Sequence, residues 1–168
     1  RMNGHVPVFR VIENAPFRGE FSYVLSGFTY RQLQDFTGTL VVTGFIATDT
    51  QGLQTTLGRN GSDFSASIFG SLLDAGEIVI WTDVDGVLSA DPRLVPEARV
   101  IDEISYNEAM ELAYFGAKVI HPQTMAPAVA KRIPIWIRNT FSPGKAGTLI
   151  HDRTAPSPLV KGITTVEK

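Results

Sequence analysis

The chain of 168 residues predicts an α/β fold with a largely parallel sheet under helical cover. Three observations predict it. Short continuous apolar runs recur at Leu40-Val41-Val42, Ile78-Val79-Ile80-Trp81 and Ile135-Trp136-Ile137, the pattern of strands buried on both faces rather than of strands facing water. Between them lie segments whose apolar residues recur every three or four positions, as on one face of a helix. Strands alternating with helices argue for a mainly parallel sheet. The composition agrees, with 43% hydrophobic and 19% charged residues, a globular rather than a disordered balance.

Composition also removes whole classes of function. A formal net charge of −2, with no run of Lys or Arg, gives no nucleic-acid footprint. Cysteine is absent, which excludes disulfides, thiolate catalysis and Cys-based zinc sites. No apolar run approaches the ~18 residues of a membrane span. Arg1 to Pro16 mixes charge, Asn and Pro without the apolar core of a signal peptide, and the chain opens on Arg rather than Met, as a processed or excised chain does.

Taken in order, residues 1–36 carry the weakest pattern. Val6 to Ile12 reads as a strand that Pro7 would place at a sheet edge, Phe21 to Leu25 as another, and Thr29 to Phe36 as a short helix. His5, Glu13, Arg18 and Glu20 read as solvated. From Thr37 the pattern sharpens: Leu40-Val41-Val42 and Phe45-Ile46-Ala47, interrupted by Thr43-Gly44, read as a buried parallel strand, and Asp49 to Gln54 as a solvent loop or hairpin tip. Ser62 or Asp63 can cap a helix to about Ala75, with Phe64, Ile68, Leu72 and Ala75 on its apolar face and Gly76 as its stop. Glu77 to Trp81 is the next strand. Asp91-Pro92 and Val95-Pro96 punctuate a loop. Ser105 to Ala113 reads as a helix because Ser105 and Glu108 have capping-box spacing, and Gly116 ends it. Pro122 and Pro127 frame a helix to Lys131. Ile135 to Ile137 is a strand, Pro143 to Gly147 a turn, and Thr148 to Ile150 a further extended run. His151 to Ser157 reads as a linker, and Lys161 to Val166 as the start of another strand.

Four stretches can carry chemistry. In Gly58-Arg59-Asn60-Gly61-Ser62-Asp63, glycines let backbone N–H groups approach an anion, the helix N-terminus adds partial positive charge, and Arg59 offers a planar fork. A tight turn with a capped helix and a surface Arg accounts for the same residues. The stretch is neither a Walker A loop nor a dinucleotide fingerprint. Thr82-Asp83-Val84-Asp85-Gly86 follows a parallel strand, where ligands of open α/β sheets bind. Asp83 and Asp85 can hold Mg²⁺, a ribose hydroxyl or an adenine amino group, or simply form a turn; the ligand positions of a calcium loop are missing. Arg93 can meet phosphate or pair with Asp91 or Glu97. Lys118, after the small residues Gly116 and Ala117, can approach a phosphate or lie along the surface. His121 reads as structural, because the three histidines have no metal-ligand spacing.

Together these segments resemble aspartokinase, within the amino-acid kinase superfamily. The matching pieces run from Val42-Thr43-Gly44-Phe45-Ile46 through Thr55 to Asp63, Trp81 to Gly86, Asp91-Pro92-Arg93, Glu111 to Pro122 and Ile133-Pro134-Ile135, ending at Gly147 to Ile150. They are collinear and cover about residues 37–150. Phe64-Ser65-Ala66, Trp81 to Gly86 and Ile137-Arg138-Asn139 look most like the bifunctional aspartokinase–homoserine dehydrogenase type. Lys161-Gly162-Ile163 looks like the start of a regulatory ACT region, so residues 151–168 read as a linker toward it, while 1–36 stay unassigned.

The resemblance implies a three-layer αβα sandwich of which residues 37–150 form the C-terminal, nucleotide-binding half. It implies transfer of the γ-phosphoryl group of ATP, with Mg²⁺, to the side-chain carboxylate of L-aspartate. Arg59 would clamp the aspartate α-carboxylate, Asp63 would accept from its ammonium group, and Thr43 would complete that sub-site. Thr82, Asp83, Leu88, Arg93, Lys118 and Val119 would line the nucleotide site. No residue is assigned a catalytic role and none a metal. It further implies a homo-oligomeric full-length parent, allosteric control, and a cytoplasmic or, in a plant or alga, plastid-stromal location. Two departures stand out. Leu88 takes a position where relatives often carry Tyr, and the family's Lys-Phe-Gly-Gly-Thr/Ser motif, with its phosphate-facing lysine, is absent from the sequence. Little kinase activity is therefore expected of this chain alone, with nucleotide binding weakened but retained. Other readings are a kinase acting on glutamate, carbamate or UMP, a non-catalytic regulatory or assembly module, and an Asp-x-Asp metal-dependent transferase.

Overall fold

The structure, a computed structural model, describes residues 8–11, 42–48, 53–114, 121–153 and 160–164. Its elements in chain order are β1 (Val8–Val11), β2 (Ile46–Thr48), β3 (Gln54–Thr56), α1 (Gly61–Leu72), β4 (Glu77–Thr82), β5 (Glu103–Ser105), α2 (Tyr106–Tyr114), α3 (Pro122–Ala130), β6 (Ile135–Asn139) and β7 (Thr148–His151). Five strands form one sheet in the order β1-β4-β6-β7-β5. Among the described strands of this sheet, the β1–β4, β4–β6 and β5–β7 pairs are parallel and β6–β7 is antiparallel. The α/β class and mainly parallel sheet are as expected, and among the described strands β1 takes the edge position that Pro7 suggests.

The register explains the core. Ile78 pairs with Ile135, Ile80 with Ile137, and Ile150 with both Ile135 and Ile104, so one sheet face presents a row of isoleucines, each at most 5% exposed. The three helices among the described residues contribute to the core on that face, through Ala66 of α1, Tyr106 and Ala109 of α2, and Met125 and Ala128 of α3. The second helical layer of the implied sandwich is not among the described residues. The opposite face carries half-buried Trp136 and Arg138, with the guanidinium 4.8 Å from the indole centroid.

Several expectations change. The stretch Phe45-Ile46-Ala47 is not a buried parallel strand: β2 pairs antiparallel with β3 in a separate hairpin, and Ile46 is 47% exposed. The cause is Phe45, whose φ of 74° turns the chain away from extended geometry. The hairpin tip expected near Asp49 to Gln54 fits this pairing, although Gln54 itself belongs to β3 and residues 49–52, like Leu40 and Val41, lie outside the described ones. In α1, Ser62 and Asp63 are first-turn residues rather than caps, and the N-cap is Asn60 at φ 57°. The helix ends at Leu72, short of Ala75, and the residue in left-handed geometry is Asp74 (φ 48°), not Gly76. The Ala75 N–H then closes the turn on the Gly70 carbonyl at 2.9 Å, a Schellman arrangement.

The α1 face against the sheet is also not the large apolar one. Gly61, Ser62, Asp63, Ser65, Ala66, Ser67 and Gly70 are buried, and a β-carbon at Gly70 would lie 2.7 Å from Ile78 Cδ1. Small residues are there because the helix approaches the sheet closely. Phe64, Ile68 and Leu72 instead line a shallow groove with Ala126, Pro127 and Ala130 of α3.

The helix expected from Ser105 carries its capping box: the Ser105 N–H donates to Glu108 Oε2 at 2.7 Å and the Glu108 N–H to Ser105 Oγ at 3.3 Å. Strand β5, just before it, has no counterpart among the expected elements. The α3 helix starts on Pro122 and contains Pro127, with Lys131 as its C-cap. His151, expected in the linker, belongs to β7. Residues 160–164 form no strand. The expectations at 21–36, Gly116, 154–157 and 165–166 lie outside the described residues.

Candidate functional site

Two clusters of sequence-selected residues form where backbone geometry concentrates polar groups. The first surrounds the N-terminus of α1. Gly58 (φ 82°) and Asn60 turn the chain sharply, and the Gly61 N–H donates to the Gly58 carbonyl at 2.8 Å. This places Arg59, exposed, on the turn and Asp63, 3% exposed, in the first helical turn. There the N-terminal partial charge favours a carboxylate. Asn60 Nδ2 donates to Asp63 Oδ2 at 3.3 Å.

Thr43 reaches the same region because the β2–β3 hairpin is stitched to α1. The Ser65 hydroxyl donates to the Gly61 carbonyl at 3.0 Å and accepts the Phe45 N–H at 2.8 Å. The Leu57 N–H donates to the Phe45 carbonyl at 2.7 Å. Gly44 sits against the same turn of the helix, where a β-carbon would lie in ordinary contact, 3.6 Å from Ser65 Oγ and 3.7 Å from Ser62 Cα. Thr43, exposed, is next in the chain. Ser65 stands in the sequence as part of the resembling segment Phe64-Ser65-Ala66, with no role assigned, yet its hydroxyl holds the Phe45 N–H of the unusual Phe45 conformation.

The second cluster lies at the carboxyl ends of β4 and β6. Thr82 closes β4, and its carbonyl accepts the Thr140 N–H at 2.8 Å, locking the two strand ends together. Thr82 Oγ1 donates to Asp83 Oδ1 at 3.2 Å, and Asp83 is exposed. The next carboxylate is committed to the protein. Asp85 Oδ1 accepts from Asn139 Nδ2 at 2.7 Å and Asp85 Oδ2 from Lys145 Nζ at 2.6 Å. These hydrogen bonds from Lys145 and Asn139 hold the Asp85 carboxyl below its ordinary value. Asn139 Oδ1 in turn accepts the Phe141 N–H at 2.8 Å. The sequence does not mark Asn139 and Lys145 as members of this cluster: Asn139 enters there as the end of the resembling segment Ile137-Arg138-Asn139, and Lys145 as part of a turn.

From there the chain enters a hairpin-like loop. The Val87 N–H donates to buried Thr148 Oγ1 at 2.8 Å, and Gly86, at φ 145°, has no room for a side chain beside that hydroxyl. Leu88, half-buried, bridges antiparallel to Val100. The Ile101 N–H donates to the Val87 carbonyl and the Ser89 N–H to the Arg99 carbonyl, each at 2.8 Å. Arg93 lies at the far end of this loop with its side chain 79% exposed, gripping Asp91 through Nε at 3.0 Å and Nη2 at 2.6 Å. Of the two pairings anticipated for it within the chain, Asp91 is the one formed. Lys118 and Val119 lie outside the described residues.

The chain therefore presents a helix N-terminus with an Arg and a buried Asp, beside a parallel strand end with Thr-Asp and a glycine-hinged loop. It belongs to the amino acid kinase family, whose model matches residues 26–139. Within that family it is similar to aspartokinases. It is 49% identical over 135 residues to the chloroplastic bifunctional aspartokinase/homoserine dehydrogenase 1 of Zea mays, a match covering 77% of this chain and 15% of that protein. It is 44% identical over 126 residues to lysine-sensitive aspartokinase 3 of Escherichia coli, covering 75% of this chain and 28% of that one. Among solved structures it resembles E. coli aspartokinase III in complex with aspartate and ADP, with a TM-score of 0.66 and 45% identity over 71% of this chain and 27% of that one. The chain thus spans about 15% of the length of the bifunctional relative.

Proposed function

We propose that this chain is the C-terminal, nucleotide-binding half of an aspartate kinase domain, which transfers the ATP γ-phosphoryl group to the side-chain carboxylate of L-aspartate. The observation that carries the reading is the gathering of Thr43, Arg59 and Asp63 at one helix N-terminus. A guanidinium for an α-carboxylate and a carboxylate for an α-ammonium, on adjacent turns, match a zwitterionic amino acid. They match neither a carbamate nor a nucleoside monophosphate, which lack the ammonium. The similarity to a kinase solved with aspartate and ADP supports the same assignment.

In this reading Thr82, Asp83, Leu88 and Arg93, with Lys118 and Val119, bind ATP at the carboxyl ends of β4 and β6. Mg²⁺ arrives with the phosphates, since Mg²⁺ sites combine one or two carboxylates with phosphate oxygens. Asp85, engaged by Asn139 and Lys145, is a brace of the strand end. That argues against an Asp-x-Asp metal centre and leaves Asp83 as the carboxylate facing the nucleotide. Catalysis in such a site is positioning and charge neutralisation, and none of the described residues forms a covalent bond to substrate. The bifunctional form, a homo-oligomeric parent, allosteric control, service to lysine, threonine and methionine biosynthesis, and a cytoplasmic or plastid-stromal setting belong to the same proposal. Among the described residues no helix is long and apolar enough to cross a membrane.

Titration calorimetry with ATP–Mg²⁺ tests the nucleotide half: the chain should bind with measurable heat at millimolar nucleotide while turning over aspartate slowly, since the Lys-Phe-Gly-Gly motif is missing. In the parent enzyme Arg59→Ala should raise the aspartate KM by about 100-fold, the ~3 kcal/mol of a charge-assisted bond, with the ATP KM little changed. Absence of heat from folded chain, or an unchanged aspartate KM, defeats the proposal.

A further inference from the structure

The segment Val160–Thr164 has no regular secondary structure, yet it is fixed to two separate parts of the molecule. The Lys161 side chain is only 5% exposed, and its Nζ donates to Glu108 Oε2 at 2.8 Å. A lysine side chain is rarely this buried unless it is paired, and here a carboxylate lies at bonding distance. That partner is the capping-box glutamate of α2, so the ammonium is anchored where the helix itself is fixed. One residue on, Gly162 lies so close to its surroundings that a β-carbon would be 3.1 Å from Leu112 Cδ2, 3.3 Å from the Ser89 carbonyl oxygen and 3.5 Å from Ile101 Cδ1. The Ile163 N–H then donates to that Ser89 carbonyl at 2.8 Å. Ser89 follows Leu88 directly and, with Arg99, closes the loop that leaves β4: its N–H donates to the Arg99 carbonyl, and its hydroxyl accepts the Arg99 N–H at 3.0 Å.

We propose that Lys161, Gly162 and Ile163 form a strap that clamps the Val87–Ile101 loop against α2 and so positions Leu88 and Arg93 for nucleotide, making all three positioning residues of that site. The inference rests on the nucleotide-site assignment above and deepens it: affinity for ATP depends on a segment remote in sequence from every ligand-facing residue. The physical basis is a population argument. If a lifted strap lets the loop sample other shapes, apparent affinity falls by the fraction of time the loop is correctly formed. Linkage then requires the reverse effect, with bound nucleotide holding the strap down by the same factor.

The test uses the 168-residue chain, its Lys161→Met and Gly162→Val variants, and Lys131→Ala as a control at an exposed lysine. ATP–Mg²⁺ affinity is read by calorimetry, and amide exchange is followed at Ser89 and Ile163 with and without nucleotide. The expected result is affinity about fivefold or more weaker in both strap variants and unchanged in the control. Exchange at Ser89 should be faster in the strap variants, and ATP should slow exchange at Ile163 in the unmodified chain. Should Gly162→Val not fold, Lys161→Met, which keeps the aliphatic stem, carries the test. Faster exchange at Ser89 with unchanged ATP affinity would make the strap purely structural and overturn the proposal, while leaving the nucleotide site standing. Exchange and affinity both unchanged would overturn it as well. No ATP binding by the unmodified chain would refute the nucleotide site, and the positioning role with it.

Discussion

Tyr106, the first residue of α2, is 5% exposed, and its hydroxyl donates to the Ile133 carbonyl at 2.6 Å. Burial, with a smaller contribution from the charge of Asp152, pushes its pKa up to about 12. Because the folded state keeps the proton more tightly than the unfolded chain, stability holds below the ordinary tyrosine value of about 10 and declines as pH rises from there toward 12. Tyr106→Phe should therefore flatten the alkaline arm of a melting-temperature profile. It should also cost about 1–3 kcal/mol at neutral pH, because the Ile133 carbonyl loses its donor in a dry setting. A variant whose alkaline arm matches that of the unmodified chain would exclude this tyrosine as the source. Such a residue is only half legible in sequence. An aromatic at a helix start is visible, but its partner lies across the core.

At the scale of elements, what is legible is what is locally encoded. Strands β4 and β6 can be read because a continuous isoleucine-rich run between turn residues suits a strand buried on both faces, and α2 because a capping box spans four residues. The β2–β3 hairpin escapes such reading because its decisive feature, the left-handed Phe45, is stabilised by Ser65 twenty positions on. The buried face of α1 escapes it because periodicity counts large apolar residues, whereas the sheet-facing side is selected for smallness. That face makes a prediction. Gly70→Ala should cost about 1–3 kcal/mol from overpacking against Ile78, offset in part by the gain of about 1 kcal/mol in helix propensity. Combining it with Ile78→Val, which removes Cδ1, the nearer of the two Ile78 carbons in the way, should cost less than the two single changes sum to. Strict additivity in urea denaturation would show that the contact is not the source.

Over the whole molecule, two carboxylates tie distant parts of the chain together and set its response to acid. Burial acts to raise the Glu108 pKa, but Lys161 and the two Ser105 hydrogen bonds outweigh it, so the net shift is downward; Asp85 is lowered by Lys145 and Asn139. Groups with depressed folded pKa values stabilise the fold above their unfolded values and lose that contribution as pH falls through the folded ones. Melting temperature should thus drop on acidification below about pH 4.5, the ordinary carboxyl range. In Lys161→Met the drop should be shallower, and an identical acid slope would exclude the Glu108–Lys161 pair as a contributor. The candidate site divides as the fold does. Thr82-Asp83 is visible as a strand end and Arg59 with Asp63 as a helix start. The Asp85–Asn139–Lys145 brace is not, because it joins residues more than fifty positions apart.

The strand order has a consequence for the chain as it is made. Strand β4, with Ile78-Val79-Ile80-Trp81 at its centre, pairs with β1 on one side and β6 on the other. Strand β6 is encoded long after it, beyond α2 and α3. A nascent chain therefore carries an apolar strand with one open hydrogen-bonding edge until Ile135–Asn139 has left the ribosome. Such an edge is the template on which two unfinished copies can pair with each other. Truncation before β6 should give insoluble material, whereas the antiparallel β6–β7 partner, only a short turn away, can close as soon as it is synthesised. Chaperone capture during synthesis should thus concentrate on lengths between β4 and β6.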